Sequence, residues 1–299
     1  MNESLSGKAA VVMTLAAACW GLGTVMSKGV LDYLPPLLLL VVQLAGSLLF
    51  LWTAVFSRRT QQIIDRRAWR LGLTGLLNPG LAYTFGLLGL ALTTASMSTL
   101  LWAAEPALIL LLAWLLLRER LTRPLLLLSA VALAGAVMVV GAGSGGVLLG
   151  NLLVITAVLC CAIYTVWTRH LIAGVEPLVL VTLQQTVSLA WALLIWPVEL
   201  WSMDWVVILT VPAMVWVLAL TSGIVYYGLA FWFYITGLKE TPASLASLFL
   251  NLIPIFGVSG AMLFLGERLG PVQWLGAVVI ITAVLGISYR YRYPDPPVM

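Results

Sequence analysis

An internal duplication constrains the fold of this chain more than any other feature of its sequence. The segment from Thr94 to Leu121 returns 148 positions later as the segment from Pro242 to Leu269, without a gap. The residues shared by both copies are Ala95, Ser96, Leu100, Pro106, Ala113, Leu115, Leu117, Glu119, Arg120 and Leu121, which recur as Ala243, Ser244, Leu248, Pro254, Ala261, Leu263, Leu265, Glu267, Arg268 and Leu269. Internal repeats of this kind predict two halves of similar architecture.

The repeat extends upstream of these segments. At the same offset, Gly75, Gly80, Leu81, Ala82, Phe85 and Leu90 fall on Gly223, Gly228, Leu229, Ala230, Phe233 and Leu238. Nearer the N-terminus, an offset of 141 aligns Ser27, Lys28 and Pro36 with Thr168, Arg169 and Pro177. We therefore expect one repeat in residues 1–145 and a second in residues 146–299.

Composition identifies the chain as a membrane protein. Hydrophobic residues make up 62% of the sequence and charged residues only 9%, against about 45–50% and about 25% in soluble domains. A membrane-spanning helix needs about 20 apolar residues. We find ten such runs, at 9–29, 34–56, 69–92, 94–117, 124–142, 147–168, 177–198, 206–237, 242–265 and 271–289. The predicted fold is an all-α membrane protein with ten transmembrane helices, five in each half.

The distribution of basic residues predicts the orientation, because positively charged loops remain in the cytoplasm. With both termini in the cytoplasm, thirteen Lys and Arg residues fall on the cytoplasmic side and only Lys28 and Arg268 fall outside. Topology accounts for most of the net charge of +4, so we expect no nucleic-acid partner. The predicted location is a bacterial inner membrane.

The odd number of spans in each half has a consequence for function. A second half that follows five spans enters the membrane from the opposite side, so the repeats are inverted. Inverted repeats are typical of alternating-access transporters, in which the two halves rock around a site near the bilayer midplane. Channels with such repeats remain an alternative.

Two segments resemble a known family. The segments Leu116–Leu121 and Phe264–Leu269, each following a proline, are similar to the ends of the two EamA modules of the drug/metabolite transporter superfamily. The segment Cys19-Trp20-Gly21, followed by Ser27-Lys28, is similar to the start of the first module. This resemblance implies ten helices in two pseudo-symmetric bundles around a central cavity, and export of small metabolites from the cytoplasm.

A narrower resemblance concerns the substrate. The segment Asp32–Pro36, Gln43 and the segment Trp102–Pro106 are similar to those of the YddG-like exporters of aromatic and other amino acids. The second module departs from the first, since Leu252-Ile253-Pro254 stands where the first has Ala104-Glu105-Pro106. The two halves therefore cannot contribute identical chemistry.

Glu105 is the first candidate for the substrate site. It is the only acidic residue deep in a predicted span, where an ionised side chain costs about 2.5–3.5 kcal/mol unless it faces protein or water. Trp102 and Ser98 share its helical face at i−3 and i−7. Glu105 could bind a substrate ammonium group or couple transport to protons. A neutral glutamate that is hydrogen-bonded between helices is the alternative.

Further candidates lie at predicted helix breaks. Asn251 precedes Pro254 in the ninth span, and Asn78 precedes Pro79 in the third span. Tyr226 occupies the position in the second half that is equivalent to Asn78. Proline frees a backbone carbonyl one turn earlier, and such a carbonyl could accept from a substrate. The alternatives are interhelical hydrogen bonds and simple bends.

Aromatic and amide side chains complete the set of candidates. Those that lie deep in spans or beside polar breaks are Trp20, Tyr83, Trp102, Tyr164 and Trp167, which could hold a cation against their faces or serve only in packing. Gln184 is a further cavity candidate, with interhelical bonding as the alternative.

We therefore expect an exporter of amino acids, both aromatic ones such as Trp, Phe and Tyr and others such as Met and Thr. Efflux of organic cations, or of another small metabolite, is the runner-up. An integral-membrane enzyme is disfavoured, because the chain lacks HExxH, GxSxG and a second histidine. No cofactor or metal site is expected. The expected partners are the small-molecule substrate and membrane lipid, and the oligomeric state stays open, with a monomer as the simplest case.

Overall fold

The computed structural model of the chain is predominantly helical over the residues that it describes. It describes residues 7–57, 66–117, 147–168, 175–201, 205–240, 249–250 and 252–292, with scattered positions between 123 and 138. The helices are α1 (Gly7–Leu31), α2 (Pro36–Ser57), α3 (Arg66–Gly72), α4 (Ala82–Leu92), α5 (Ala95–Trp102), α6 (Glu105–Leu117), α7 (Leu148–Thr168), α8 (Pro177–Ile195), α9 (Pro197–Leu200), α10 (Trp205–Thr210), α11 (Ala213–Gly223), α12 (Ala230–Glu240), α13 (Ile253–Phe264) and α14 (Pro271–Arg292).

Within the described residues, six helical segments are long and apolar enough to cross a membrane. They are Ala10–Leu31, Pro36–Ser57, Arg66–Leu92, Leu148–Thr165, Pro177–Leu200 and Ala213–Gly237. These correspond to the first, second, third, sixth, seventh and eighth predicted spans. Shorter apolar helices at Ile253–Phe264 and Pro271–Ala283 lie within the ninth and tenth. The fifth predicted span lies largely outside the described residues.

The third span is interrupted at its middle. Between α3 and α4 the chain forms a 3-10 turn at Leu73–Leu76 and a π-helical turn at Leu77–Leu81. Asn78 inside this region has extended backbone angles, with φ −144° and ψ 119°. Pro79 cannot donate a backbone hydrogen bond, which favours the interruption. The eighth span contains a π-helical turn at the equivalent position, Ile224–Leu229.

The fourth span is also discontinuous. Helix α5 ends at Trp102, a turn follows at Ala103 and Ala104, and α6 begins at Glu105. Pro106 stands in the first turn of α6, where a missing backbone N–H leaves no intrahelical bond unmade. Glu105 therefore lies at the start of a helix rather than along a continuous one.

Helices of the two halves pack against one another. Helix α1 contacts α12 and α13, α4 contacts α7, and α2 contacts α8. The Gln43 amide donates to Ser222 Oγ at 2.7 Å, and the Gln184 amide donates to Thr74 Oγ1 at 2.9 Å. Gln43 and Gln184 are 141 positions apart, and Thr74 and Ser222 are 148 apart. Equivalent residues therefore make equivalent bonds across the two halves.

Two glutamates each cap the N-terminus of a helix that is distant from them in the sequence. The Glu267 carboxylate accepts from the backbone N–H groups of Ala95–Ser96, both at 2.8 Å. The Glu199 carboxylate accepts from those of Leu37–Leu38 at 2.9 and 3.0 Å. The first N–H groups of a helix have no intrahelical partner, and a negative charge is stabilised there. Each carboxylate thus ties one half of the chain to the other.

Candidate functional site

A cavity lies where the interrupted helices of both halves meet. Its walls come from α1, the break in the third span, α4, α5, α6, α7, the π-helical turn of the eighth span, α12, Leu250 and α13. The lining residues are Trp20, Thr24, Asn78, Tyr83, Thr99, Trp102, Glu105, Cys161, Tyr226, Phe231, Tyr234, Leu250 and Ile253.

The walls of the cavity are related by the internal repeat. Pairs of lining residues separated by 148 positions are Asn78 and Tyr226, Tyr83 and Phe231, Trp102 and Leu250, and Glu105 and Ile253. At the offset of 141, Trp20 pairs with Cys161. The cavity therefore lies at the junction that the two repeats share, and each half supplies the same positions with different side chains.

One wall of the cavity is polar. Asn78 Nδ2 donates to Cys161 Sγ at 3.1 Å, and Glu105 lies next to Cys161 in the same wall. Asn78 is buried, with 3% of its surface exposed, and Glu105 is partly buried. The wall thus joins the break in the third span, the start of α6 and the middle of α7.

Aromatic rings form most of the remaining wall. Trp20 meets Phe231 and Tyr234 edge to face, with ring centroids 5.3 and 5.2 Å apart. Tyr83 lies 5.9 Å from Trp102 and 5.2 Å from Tyr226 by ring centroid. Such faces attract cations through the ring quadrupole, so the cavity combines a carboxylate with surfaces that favour positive charge.

Two buried polar atoms of the cavity residues lack a hydrogen-bond partner among the described residues. They are the indole Nε1 of Trp20 and the Oδ1 of Asn78. Buried polar groups are nearly always hydrogen-bonded, and an exception calls for an explanation. A donor and an acceptor in the walls of one cavity can both be satisfied by a ligand that carries the complementary groups.

Comparison with known proteins gives the family. The model of the EamA-like transporter family matches residues 7–141 and again residues 148–289. The chain belongs to the EamA-like transporter family. The two matched segments are the two halves of the internal repeat.

Curated relatives of this EamA-like chain are transporters from Bacillus subtilis (strain 168). The uncharacterized transporter YvbV is 25% identical over 298 residues, which cover 98% of this chain and 95% of that protein. The uncharacterized transporter YetK is 28% identical over 219 residues, 70% of this chain and 64% of that protein. A crystal structure of another protein aligns with a TM-score of 0.67 at 20% identity, over 96% of this chain and 99% of its own. That likeness concerns the fold alone.

The structure brings six of the sequence candidates of this EamA-like chain together. Those that line the cavity are Trp20, Asn78, Tyr83, Trp102, Glu105 and Tyr226. Ser98 is buried but does not line it. The Gln184 amide donates to the Tyr164 hydroxyl at 2.8 Å, so these two residues are bonded to each other away from the cavity. Asn251 and the side chain of Trp167 lie outside the described part of the chain.

Sequence reasoning missed seven lining residues: Thr24, Thr99, Cys161, Phe231, Tyr234, Leu250 and Ile253. The signal for four of them was the repeat itself. Applying the two offsets to Trp20, Tyr83, Trp102 and Glu105 leads to Cys161, Phe231, Leu250 and Ile253. Cys161 accepts a hydrogen bond from Asn78 and lies next to Glu105 in the cavity wall.

Proposed function

We propose that this EamA-family transporter exports amino acids from the cytoplasm, aromatic ones included, by alternating access. The observation that carries the proposal is the position of Glu105 in a mostly aromatic and apolar cavity between the two repeats. An ammonium group can pair with the carboxylate while an apolar or aromatic side chain packs against the rings. We expect no enzymatic activity, since the family is one of transporters.

The proposed topology is ten spans in two inverted repeats, within a bacterial inner membrane and with both termini in the cytoplasm. Equivalent contacts in the two halves support it, because Gln43 meets Ser222 as Gln184 meets Thr74. Helix breaks near the middle of the third and fourth spans also support it. Interrupted helices around a central site are a feature of inverted-repeat transporters.

Organic cations are a second candidate substrate class. Among the described residues that line the cavity there is no Lys, Arg or His to bind a substrate carboxylate. The indole N–H of Trp20, which has no partner among the described residues, is one neutral group that could donate a hydrogen bond to the carboxylate of an amino acid. A cationic amine without a carboxylate would satisfy Glu105 and the aromatic rings alone.

Counterflow into proteoliposomes tests the function and separates the two candidates. Vesicles loaded with unlabelled substrate should accumulate labelled Trp, Phe or Met faster than protein-free vesicles. Tryptamine, which keeps the indole and the amine of tryptophan but lacks the carboxylate, should be taken up more slowly than tryptophan if amino acids are the substrates. Rates equal to those of protein-free vesicles for all of these amino acids would overturn the amino-acid proposal, and rapid uptake of tryptamine alone would favour organic cations.

A further inference from the structure

We propose that Cys161 is a positioning residue that holds Glu105 and Asn78 as one binding unit for a primary ammonium group. The inference rests on the proposed function, since it concerns the cavity through which the substrate would pass. It goes further by naming the headgroup chemistry that the cavity selects, and by giving a role to a cysteine that has no place in a metal site or disulfide framework.

The three residues come from three separate elements, and the thiol is what connects them. Asn78 lies on extended backbone inside the break of the third span. Glu105 follows the turn that separates α5 from α6. Neither backbone is held there by continuous helical hydrogen bonding on both sides. Cys161 stands inside α7, an uninterrupted helix of 21 residues. A rigid helix therefore carries the thiol that accepts from Asn78 and lies next to Glu105.

The direction of the hydrogen bonds determines what remains for a ligand. A thiol is a weak donor and a weak acceptor. Asn78 Nδ2 donates to Cys161 Sγ at 3.1 Å, which leaves the thiol hydrogen available to the neighbouring Glu105 carboxylate. Because the amide nitrogen of Asn78 is held by sulfur, its carbonyl oxygen Oδ1 is left without a partner among the described residues.

The unsatisfied acceptors define the ligand. The Glu105 carboxylate has more lone pairs than a single weak thiol donor can use, and Asn78 Oδ1 has no donor in the part of the chain that the structure describes. Both need N–H groups. A primary ammonium carries three, arranged so that more than one acceptor can be reached at once. A quaternary ammonium carries the same charge and favours aromatic faces, but it cannot donate. The polar wall therefore selects hydrogen-bonding ammonium groups over fully alkylated ones.

The internal repeat of the sequence shows that the binding unit of Cys161, Glu105 and Asn78 has no counterpart on the opposite wall of the cavity. Cys161 is equivalent to Trp20, Asn78 to Tyr226 and Glu105 to Ile253. None of the three equivalents can reproduce the thiol bridge, because they carry an indole, a phenol and an aliphatic side chain. The cavity is pseudo-symmetric in its residue positions, but one side binds the ammonium headgroup and the other consists of aromatic rings. A bound molecule is therefore held in one orientation.

The test compares tryptophan with its N,N,N-trimethyl derivative, which keeps the positive charge but has no ammonium N–H. In the wild-type protein we expect the KM for tryptophan to be at least about tenfold lower than that for the trimethyl derivative, as expected for the loss of charge-assisted hydrogen bonds. Cys161→Ala should bring the two KM values to within about threefold of each other, because the thiol that positions Glu105 and Asn78 is lost. Cys161→Ser, which keeps a donor and an acceptor, should restore the selectivity. Cys160→Ala is the matched control, since Cys160 is the adjacent cysteine and does not line the cavity.

A labelling experiment on the otherwise unchanged site makes the inference testable even if the alanine variant fails to fold. In a protein carrying Cys19→Ser and Cys160→Ser, a methanethiosulfonate reagent should modify Cys161, and tryptophan should slow this reaction at concentrations at which the trimethyl derivative does not. Equal protection by both compounds, or unchanged selectivity in Cys161→Ala, would overturn the role of Cys161 while leaving transport intact. A wild-type protein that transports neither compound would instead overturn the proposed function, and this inference with it.

Discussion

Gln43 and Gly223 are packed so closely that a Cβ atom at position 223 would lie 2.1 Å from the carbonyl oxygen of Gln43. The equivalent pair repeats this relationship, since a Cβ at Gly75 would lie 2.0 Å from the carbonyl oxygen of Gln184. Both contacts join α2 or α8 to the discontinuous span of the other half. They are backbone contacts that no rotamer change can relieve.

Alanine at either glycine should therefore destabilise the protein. We expect Gly75→Ala and Gly223→Ala each to lower the free energy of unfolding by about 1–3 kcal/mol or more, the usual range for overpacking. Thermal melting in detergent, followed by size-exclusion chromatography, measures the loss. Gly29→Ala is the control, because its nearest neighbour would be a Leu265 methyl carbon at 3.8 Å. Equal melting temperatures for all three variants would contradict the close approach.

Replacement of Glu105 should weaken substrate binding. Glu105→Gln keeps the size of the side chain but removes the negative charge that pairs with an ammonium group. Loss of a charge-assisted bond of about 1.5–3 kcal/mol corresponds to an increase in Kd of about tenfold to a hundredfold. Equilibrium binding of labelled tryptophan measures it.

The control for this substitution is Asp32→Asn, which removes an exposed carboxylate that does not line the cavity. We expect this variant to bind like the wild type. If Glu105→Gln also binds like the wild type, the carboxylate has no part in substrate recognition.

Removal of the Glu267 carboxylate should loosen the contact between the start of α5 and the end of the ninth span. Glu267→Ala leaves the N–H groups of Ala95–Ser96 without the acceptor they have at 2.8 Å. We expect a loss of about 1–3 kcal/mol in the free energy of unfolding. Thermal melting provides the measurement, with the exposed neighbour Arg268 replaced by alanine as the control. A stability equal to that of Arg268→Ala would contradict the capping role.

The inverted topology can be tested by labelling. Single cysteines at the equivalent positions, Arg120→Cys and Arg268→Cys, are introduced into a chain whose three native cysteines are changed to serine. A membrane-impermeant thiol reagent applied to intact cells should label the cysteine at 268 and should label that at 120 only after permeabilisation. Labelling of both positions from the same face would show that the repeats are parallel.

The substrate-site predictions show where helical spacing is informative and where it fails. Trp102 and Glu105, three residues apart, both line the cavity as the spacing implies. Ser98, placed on the same face by the same rule, does not line it. Helical spacing relates residues along a continuous helix, and the turn at Ala103 and Ala104 separates Ser98 from Glu105, so the i−7 relationship between these two does not hold. Within α5 it is Thr99, three residues before Trp102, that lines the cavity. The polar character of Glu105 and Asn78 was visible in the sequence, whereas the position of Cys161 beside them depends on where α7 packs.

The helical membrane class and the division into two matching halves follow from the sequence by itself, because apolar length and internal repetition are properties of the linear chain. The hydrogen-bonding partners of its buried polar groups were decided only by the tertiary structure. Gln184 donates to Tyr164, and Asn78 donates to the Cys161 thiol beside Glu105, although the sequence presents all five residues alike, as isolated groups in apolar spans. The partner of each depends on contacts between distant helices, and packing of the two halves determines those contacts.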